Sequence, residues 1–165
     1  MENIDVSVVM PCLNEEKGIG ICLKKIKEVF AKEKINGEIV VADNGSTDRS
    51  RQICIEAGAR VFSEPVQGYG AAYLCGLKES RGKFIIIADS DNTYDFADIP
   101  QFLVELKKGN DFVIGSRFKG RINRGAMPWV NRYIGNPILS GMTRIFFRTR
   151  LSDIHCGMRA FTQEA

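Results

Sequence analysis

Two aspartates separated by a single residue, Asp89 and Asp91, follow an apolar run that covers residues 84–88. An apolar run without alternation is typical of a strand buried on both faces of a parallel sheet. Two carboxylates this close repel each other and lose hydration, so a cation is expected to compensate them. Mg²⁺ or Mn²⁺, which prefer oxygen ligands and often carry a substrate phosphate, are the simplest candidates. A turn capped by these aspartates is the open alternative, because Asp is common in turns.

Acidic residues also follow two other predicted strands. Glu15 comes after the β-branched run 5–10, and Asp43 comes after the run 38–42. The carboxyl ends of parallel strands meet at one edge of a sheet, where open α/β folds bind their ligands. Each of these residues alone is explained by a helix cap, whereas their convergence at one edge predicts a binding crevice.

Strand patterns and helix patterns alternate along the chain. Strands are predicted at 5–10, 38–42, 59–62, 84–88 and 112–115. The intervening segments carry helical patterns, with Asn14 and Thr47 as predicted N-caps of the first two helices. A last helix is predicted at about 137–147. This order predicts a three-layer α/β domain with a mainly parallel sheet.

The composition is that of a soluble globular domain, with 44% hydrophobic and 26% charged residues among 165. No apolar run approaches the roughly 18–20 residues that cross a bilayer, and the N-terminus does not resemble a secretory signal. The five cysteines are odd in number and form no C-x-x-C pair, which favours reduced thiols in the cytoplasm.

One segment of the chain is strongly basic. Residues 117–150 contain no Asp or Glu, although the net charge of the whole chain is only +3. A segment of one sign usually meets phosphates or an anionic surface, and the motifs of nucleic-acid binding are absent. Its basic residues are Arg117, Lys119, Arg121, Arg124, Arg132, Arg144, Arg148 and Arg150.

Several known ligand motifs do not fit this sequence. The turn at 11–16 has neither the G-x-G-x-x-G of dinucleotide folds nor a phosphate-binding Gly-Lys-Ser/Thr. An EF-hand loop is excluded, since Tyr94 stands where Gly is required and Pro100 where the bidentate Glu belongs. The stretch 89–93 also reads D-x-D-x-T, as in haloacid dehalogenase phosphatases, but that motif belongs on a first core strand. In this sequence the stretch 89–93 follows the fourth predicted strand.

Three blocks together resemble glycosyltransferase family 2, whose fold is GT-A. They are the stretches 8–16, 41–48 and 89–91, and the later stretches 115–117 and 153–161 resemble the polyprenyl-phosphate mannosyl- and glucosyltransferases. The resemblance covers essentially the whole chain and implies one catalytic domain over 1–165. Members normally continue further, so the domain is expected to be truncated on its C-terminal side.

The resemblance implies a role for each matching residue. Asp89 and Asp91 bind the metal and, with Ser90, the diphosphate of a nucleotide sugar. Arg117 meets the same diphosphate, and Arg132 is a weaker second candidate. The nucleoside of the donor is held by Pro11, Leu13, Glu15, Val41 and Asp43.

The implied reaction is the inverting transfer of a hexose, mannose or glucose, from GDP- or UDP-hexose to a polyprenyl-phosphate-type lipid. Asp153 is then the expected general base, with His155 as the competing candidate because its ordinary pKa is near working pH. An ion pair of Asp153 with Arg150 or Arg159 is the structural alternative. The expected location is the cytoplasmic face of a membrane. A catalytically silent nucleotide-sugar-binding module, or a family 2 transferase with another acceptor, is the alternative function.

Overall fold

The computed structural model describes residues 4–117, 135–149 and 151–164, and its central strand is β1, Val6–Cys12. All seven residues of β1 are buried, as the apolar, β-branched sequence predicts for a strand covered on both faces. It pairs in parallel with β2, Gly37–Asp43, and with β4, Phe84–Ile87. The register sets Val6 opposite both Gly37 and Phe84, so the three strands run side by side toward one edge.

Six strands form one sheet in the order β3-β2-β1-β4-β6-β5. The other three strands are β3 (Arg60–Ser63), β5 (Phe112–Ile114) and β6 (Arg159–Thr162). The prediction of an α/β fold with a mainly parallel sheet is confirmed. Sequence patterns did not predict β6, because four residues that begin with an arginine show no strand period. Its Phe161 ring stacks on Phe112 with the centroids 6.5 Å apart.

Five α-helices occur in the described parts of the chain. Helix α1 buries Ile19, Cys22, Leu23, Ile26 and Phe30, the residues whose helical spacing predicted it. None of these helices is long and apolar enough to cross a bilayer. Their bounds are α1 Ile19–Glu33, α2 Ser50–Glu56, α3 Tyr69–Glu79, α4 Ile99–Lys107 and α5 Asn136–Phe147, with a short 3-10 turn at Phe96–Asp98.

The two predicted N-caps are wrong. The N-cap of α1 is Gly18, four residues after Asn14, and the N-cap of α2 is Arg49, two residues after Thr47. Asn14 adopts a left-handed backbone with φ 57°. Its side-chain oxygen accepts a hydrogen bond of 2.8 Å from the Thr47 N–H. The two residues thus connect the β1–α1 and β2–α2 loops to each other, a long-range use that local patterns do not reveal.

The chain divides into two compact units, Met1–Val113 with Ala160–Ala165, and Ile114–Arg159. The first unit holds strands β1 to β4 and helices α1 to α4. The second holds α5 and the residues 151–158 that follow it.

Gly82, just before β4, approaches the start of β1 too closely to accept a side chain. A Cβ atom there would lie 2.5 Å from the carbonyl carbon of Val6 and also against the Ser7 backbone nitrogen. We expect Gly82→Ala to lower the free energy of unfolding in urea by about 1–3 kcal/mol, because backbone cannot yield as a flexible side chain can.

Gly70 in α3 is the matched control, since a Cβ atom there meets nothing within 4 Å. Gly70→Ala is expected to be neutral or stabilising by up to about 1 kcal/mol, the helix propensity difference. Equal stabilities of the two variants contradict the packing argument for Gly82.

Candidate functional site

A cleft of about 350 Å³ lies at the carboxyl edge of β1 and β4, within the first unit. We call it the acidic cleft. Six of its lining residues are predicted site residues, and Cys12, Asn44, Tyr69 and Ala72 were not predicted. The six are Pro11, Leu13, Glu15, Asp89, Ser90 and Asp91.

Glu15 is held in the cleft by the loop that follows β1. Its backbone N–H donates 2.7 Å to the Ser50 hydroxyl oxygen, at the start of α2. Burial raises the pKa of the Glu15 carboxyl above its ordinary value, and the negative charges of Asp91, Asp48 and Asp89 raise it further. The carboxylates of Glu15, Asp89 and Asp91 therefore lie close enough to repel one another.

Asp89 is bound by two tyrosines of α3. The Tyr69 hydroxyl donates to Asp89 Oδ1 at 2.6 Å, and the Tyr73 hydroxyl lies 3.3 Å from the same oxygen. Burial raises the pKa of the Tyr73 phenol, and hydrogen bonding with Tyr69 and the charge of Asp89 act in the same direction. The Tyr73 phenol therefore keeps its proton near neutral pH, and both hydroxyls donate toward the carboxylate.

Ser90 and Asp91 are shaped by contacts with the loops around them. The buried Ser90 hydroxyl donates 2.8 Å to the carbonyl oxygen of Pro11, which ties the end of β4 to the end of β1. The Thr93 N–H donates 2.9 Å to Asp91 Oδ1. A Cβ atom at Gly18 would lie 2.9 Å from the Ser90 carbonyl oxygen, so the entry to α1 needs glycine for this close approach.

Val41 and Asp43 do not line the acidic cleft. Val41 is fully buried within β2. Asp43 is 5% exposed, accepts a hydrogen bond from the Ser46 N–H at 3.2 Å and lies 3.7 Å from the Arg51 guanidinium. Both residues are at or near the carboxyl end of β2, one strand away from the cleft residues of β1.

Asn44 lines the cleft but was not predicted from the sequence, and its side chain makes three hydrogen bonds. It is 5% exposed, and its amide donates to the carbonyl oxygens of Glu64 and Val66 at 2.9 and 2.8 Å. Its side-chain oxygen accepts from the Gly68 N–H at 2.8 Å. Asn44 thus holds the loop that leads into α3 and its tyrosines. An Asn directly after a predicted strand was visible in the sequence, but its distant partners were not.

Asp153 lies in the second unit as a buried, ion-paired carboxylate. Arg117 donates to it from Nε at 2.7 Å, from Nη2 at 2.9 Å and from the backbone N–H at 3.1 Å. The His155 N–H adds a fourth bond of 3.1 Å. Burial alone would raise the pKa of Asp153, but the hydrogen bonds from Arg117 and His155 hold it below the ordinary value.

Among the described residues, Arg117 is the ion-pair partner of Asp153, and the predicted alternative of Arg159 is wrong. The other predicted alternative was Arg150. Arg159 instead donates to the carbonyl oxygens of Cys156 and Ile154 at 3.0 and 3.4 Å. The His155 side chain is exposed. Arg150 and Arg132 lie outside the described residues, as do Lys119, Arg121 and Arg124 of the basic segment.

Asp153→Asn is expected to lower the free energy of unfolding at pH 7 by about 2–3 kcal/mol, because it leaves the partly buried Arg117 charge without its partner. Because the folded-state pKa of Asp153 is depressed, its contribution is present above the ordinary value of 3.8 and is lost as pH falls through the lower folded value. The difference between wild type and variant should shrink over that acid range in urea unfolding. Asp111→Asn, at an exposed carboxylate, is the control, and an equal loss there contradicts the prediction.

Comparisons with known proteins agree with the fold. The low-salt glycan biosynthesis hexosyltransferase Agl6 of Haloferax volcanii is 43% identical over 161 residues, which are 97% of this chain and 39% of that protein. The dolichyl-phosphate hexose transferase of the same organism is 34% identical over 97% of this chain and 67% of its own length. This chain therefore spans less than half of the first relative.

A solved structure of glucosyl-3-phosphoglycerate synthase from Mycobacterium tuberculosis, in complex with Mn²⁺, UDP and glucosyl-3-phosphoglycerate, superposes with a TM-score of 0.74. It is 26% identical, and the match covers 98% of this chain and 57% of that one. The GT-A fold expected from the sequence is thereby confirmed. The sequence-family model of glycosyl transferase family 2 matches residues 7–165, nearly the whole chain. This protein belongs to glycosyl transferase family 2.

Proposed function

We propose that the chain is the catalytic domain of an inverting glycosyltransferase that moves a hexose from a nucleotide sugar to a polyprenyl-phosphate-type lipid. The observation that carries the proposal is the acidic cleft, where Glu15, Asp89 and Asp91 converge at the carboxyl edge of a family 2 sheet. One relative is named as a dolichyl-phosphate hexose transferase, and a structural neighbour binds UDP-glucose and phosphoglyceric acid. Dolichyl phosphate and phosphoglyceric acid both carry a phosphate.

A divalent metal fits the donor set of the cleft. Carboxylate oxygens are the ligands that Mg²⁺ and Mn²⁺ prefer. Burial raises the pKa of Glu15, and the charges of Asp91, Asp48 and Asp89 raise it further. No group of three or more His, Cys, Asp or Glu side chains able to hold a metal occurs in residues 4–117, 135–149 and 151–164. Asp89 and Asp91 would therefore hold the ion together with oxygens of the nucleotide diphosphate. When bound, the metal would stabilise the charge that develops on the departing diphosphate.

The remaining donor contacts are proposed from the family pattern. Pro11 and Leu13 hold the nucleoside with Glu15, and Val41 and Asp43 support the base and ribose from β2. Arg117 and Arg132 are proposed to meet the diphosphate, where guanidinium groups match phosphate oxygens. Within the second unit, the bonds to Asp153 hold the Arg117 guanidinium in one orientation.

Asp153 is proposed as the residue that directs the acceptor. Inversion requires the acceptor oxygen to attack the sugar on the face opposite the leaving diphosphate. A phosphate acceptor is largely ionised near neutral pH, so little proton abstraction is needed. The lowered pKa of Asp153 and its four hydrogen bonds support an orienting role over a strongly basic one. The exposed His155 is the competing base.

Helix α5 supports a membrane surface as a partner. Six of its apolar side chains are between 45% and 76% exposed, and Arg144 and Arg148 flank them. The stretch 135–149 contains no acidic residue. Apolar side chains beside cations complement an anionic lipid surface, which places the chain at the cytoplasmic face of the membrane in this proposal. The six are Ile138, Leu139, Met142, Ile145, Phe146 and Phe147.

Asp91→Ala is expected to abolish the dependence of nucleotide-sugar binding on Mn²⁺ without unfolding the chain, because the carboxylate is exposed. Calorimetric titration with UDP- and GDP-hexoses, with and without Mn²⁺, measures this. Asp111→Ala removes an exposed carboxylate outside the cleft and should bind like wild type. Equal affinity with and without the ion in wild type argues against the metal site.

Release of sugar from the bound donor, or its transfer to polyprenyl phosphate, separates an enzyme from a silent binding module. Both would bind the donor, but a module would leave it intact. Transfer to a soluble phosphorylated acceptor alone would favour the family 2 alternative with another acceptor.

Binding to vesicles tests the membrane partner. We expect co-sedimentation with anionic but not neutral lipids at low salt, since each Lys or Arg near such a surface contributes about 1 kcal/mol and salt screens it. Replacing Ile145 and Phe146 by Ser should reduce the partition coefficient by about two orders of magnitude, because the loss of two apolar side chains removes about 3 kcal/mol of transfer free energy. Ile55→Ser, at an apolar residue of α2 that is 56% exposed, is the control. Equal binding to both lipids rejects the proposal.

A further inference from the structure

The tyrosine pair of α3 converges on one oxygen of one carboxylate. Tyr69 and Tyr73 are one helical turn apart, and both hydroxyls reach Asp89 Oδ1, at 2.6 and 3.3 Å. The two hydroxyl oxygens are also 3.3 Å from each other. Their rings meet edge to face, with centroids 4.8 Å apart and an interplanar angle of 85°. Two rings and a carboxylate thus form a single cluster, the Tyr–Asp cluster.

The two tyrosines differ in burial. Tyr73 is 8% exposed and belongs to the hydrophobic core with Val9, Val40 and Ile85. A phenol in such surroundings needs a hydrogen-bond partner for its oxygen, and Asp89 supplies it. Tyr69 is 60% exposed and lines the acidic cleft. The cluster therefore reaches from the core of the first unit to the wall of the cleft.

The hydrogen bonds determine how Asp89 is presented. A phenol has one proton, and the short bond from Tyr69 to a charged oxygen is of the strong, charge-assisted kind. Both contacts fall on Oδ1, so the carboxylate is held in one rotation about its last bond. Asp91 is arranged in a similar way, since its Oδ1 accepts the Thr93 N–H at 2.9 Å. In each aspartate one oxygen is engaged within the protein.

We propose that Tyr69 and Tyr73 are positioning residues that orient Asp89 so that its Oδ2 is presented to the metal and diphosphate. This inference rests on the proposed function and assigns a role to two residues that the resemblance did not single out. A carboxylate held in advance loses less freedom when a ligand binds, so the affinity for the metal-bound diphosphate is higher.

Tyr69→Phe and Tyr73→Phe test the inference, because each keeps the ring and removes only the hydroxyl. We expect Tyr69→Phe to weaken binding of Mn²⁺ with UDP or GDP about tenfold, the usual cost of losing a partner that orients a metal ligand. Tyr73→Phe should weaken it less, since its bond is longer. Nucleotide affinity without Mn²⁺ and the melting temperature should stay at the wild-type values.

Ultraviolet difference spectroscopy measures changes at the tyrosines of the Tyr–Asp cluster directly. Pyrophosphate with Mn²⁺ is a probe without ultraviolet absorption of a base, so a tyrosine difference band can be measured when it binds. A cation near Asp89 draws charge from the carboxylate and changes the hydrogen bonds that the phenols donate. Wild type should show the band, and Tyr69→Phe should lose most of it. Tyr94→Phe is the matched control, because Tyr94 does not line the cleft, and it should retain the band.

The outcomes separate this inference from the proposed function. If wild type binds neither UDP nor GDP with Mn²⁺, the proposed function and the inference are both overturned. If wild type binds and Tyr69→Phe binds equally well with the same Mn²⁺ dependence, the inference alone is overturned. Equal losses with and without Mn²⁺, together with a lower melting temperature, would show a merely structural role and also overturn it.

Discussion

The crowding of negative charge at the carboxyl edge of β1 and β4 is the constraint on which the rest of the site depends. Parallel pairing brings Glu15, Asp89 and Asp91 to one cleft, and burial and mutual repulsion raise the pKa of Glu15. Repelling groups would separate if their loops were loose. The loops are instead held by bonds such as Ser50 to the Glu15 N–H and Ser90 to the Pro11 carbonyl oxygen. The fold thus maintains an arrangement that a cation would relieve.

Asp153 of the second unit and the two cleft aspartates of the first unit have different kinds of hydrogen-bond donors. In the second unit Asp153 is fully buried and neutralised by Arg117, with four hydrogen bonds that satisfy both oxygens. In the first unit Asp89 and Asp91 receive hydrogen bonds from hydroxyls and a backbone N–H, which are neutral groups. Neutral donors orient a carboxylate without cancelling its charge. The charge therefore stays uncancelled within the cleft, which the proposed metal site needs.

Local pattern was a reliable guide where burial alone decides structure. The apolar run before Asp89 and the spacing of Ile19, Cys22 and Ile26 correctly predicted β4 and α1, because burial on two faces or on one stripe leaves a period in the sequence. The same reasoning was wrong at Asn14 and Thr47, where both residues are used to join two loops. Capping preferences describe isolated helices, and a bond between residues 33 apart in sequence outweighs them.

The sequence by itself determined the alternation of strands and helices, the acidic residues that end the strands, and six of the residues that line the cleft. It did so because a parallel sheet sends the ends of its strands to one edge whatever the loops do. Only the tertiary structure decided which groups orient those carboxylates. The reach of Asn44 to the loop before α3, the tyrosines at Asp89 and the choice of Arg117 as the partner of Asp153 are contacts between distant segments. Such contacts have no period in the sequence, because they arise only once packing has set the distances between elements.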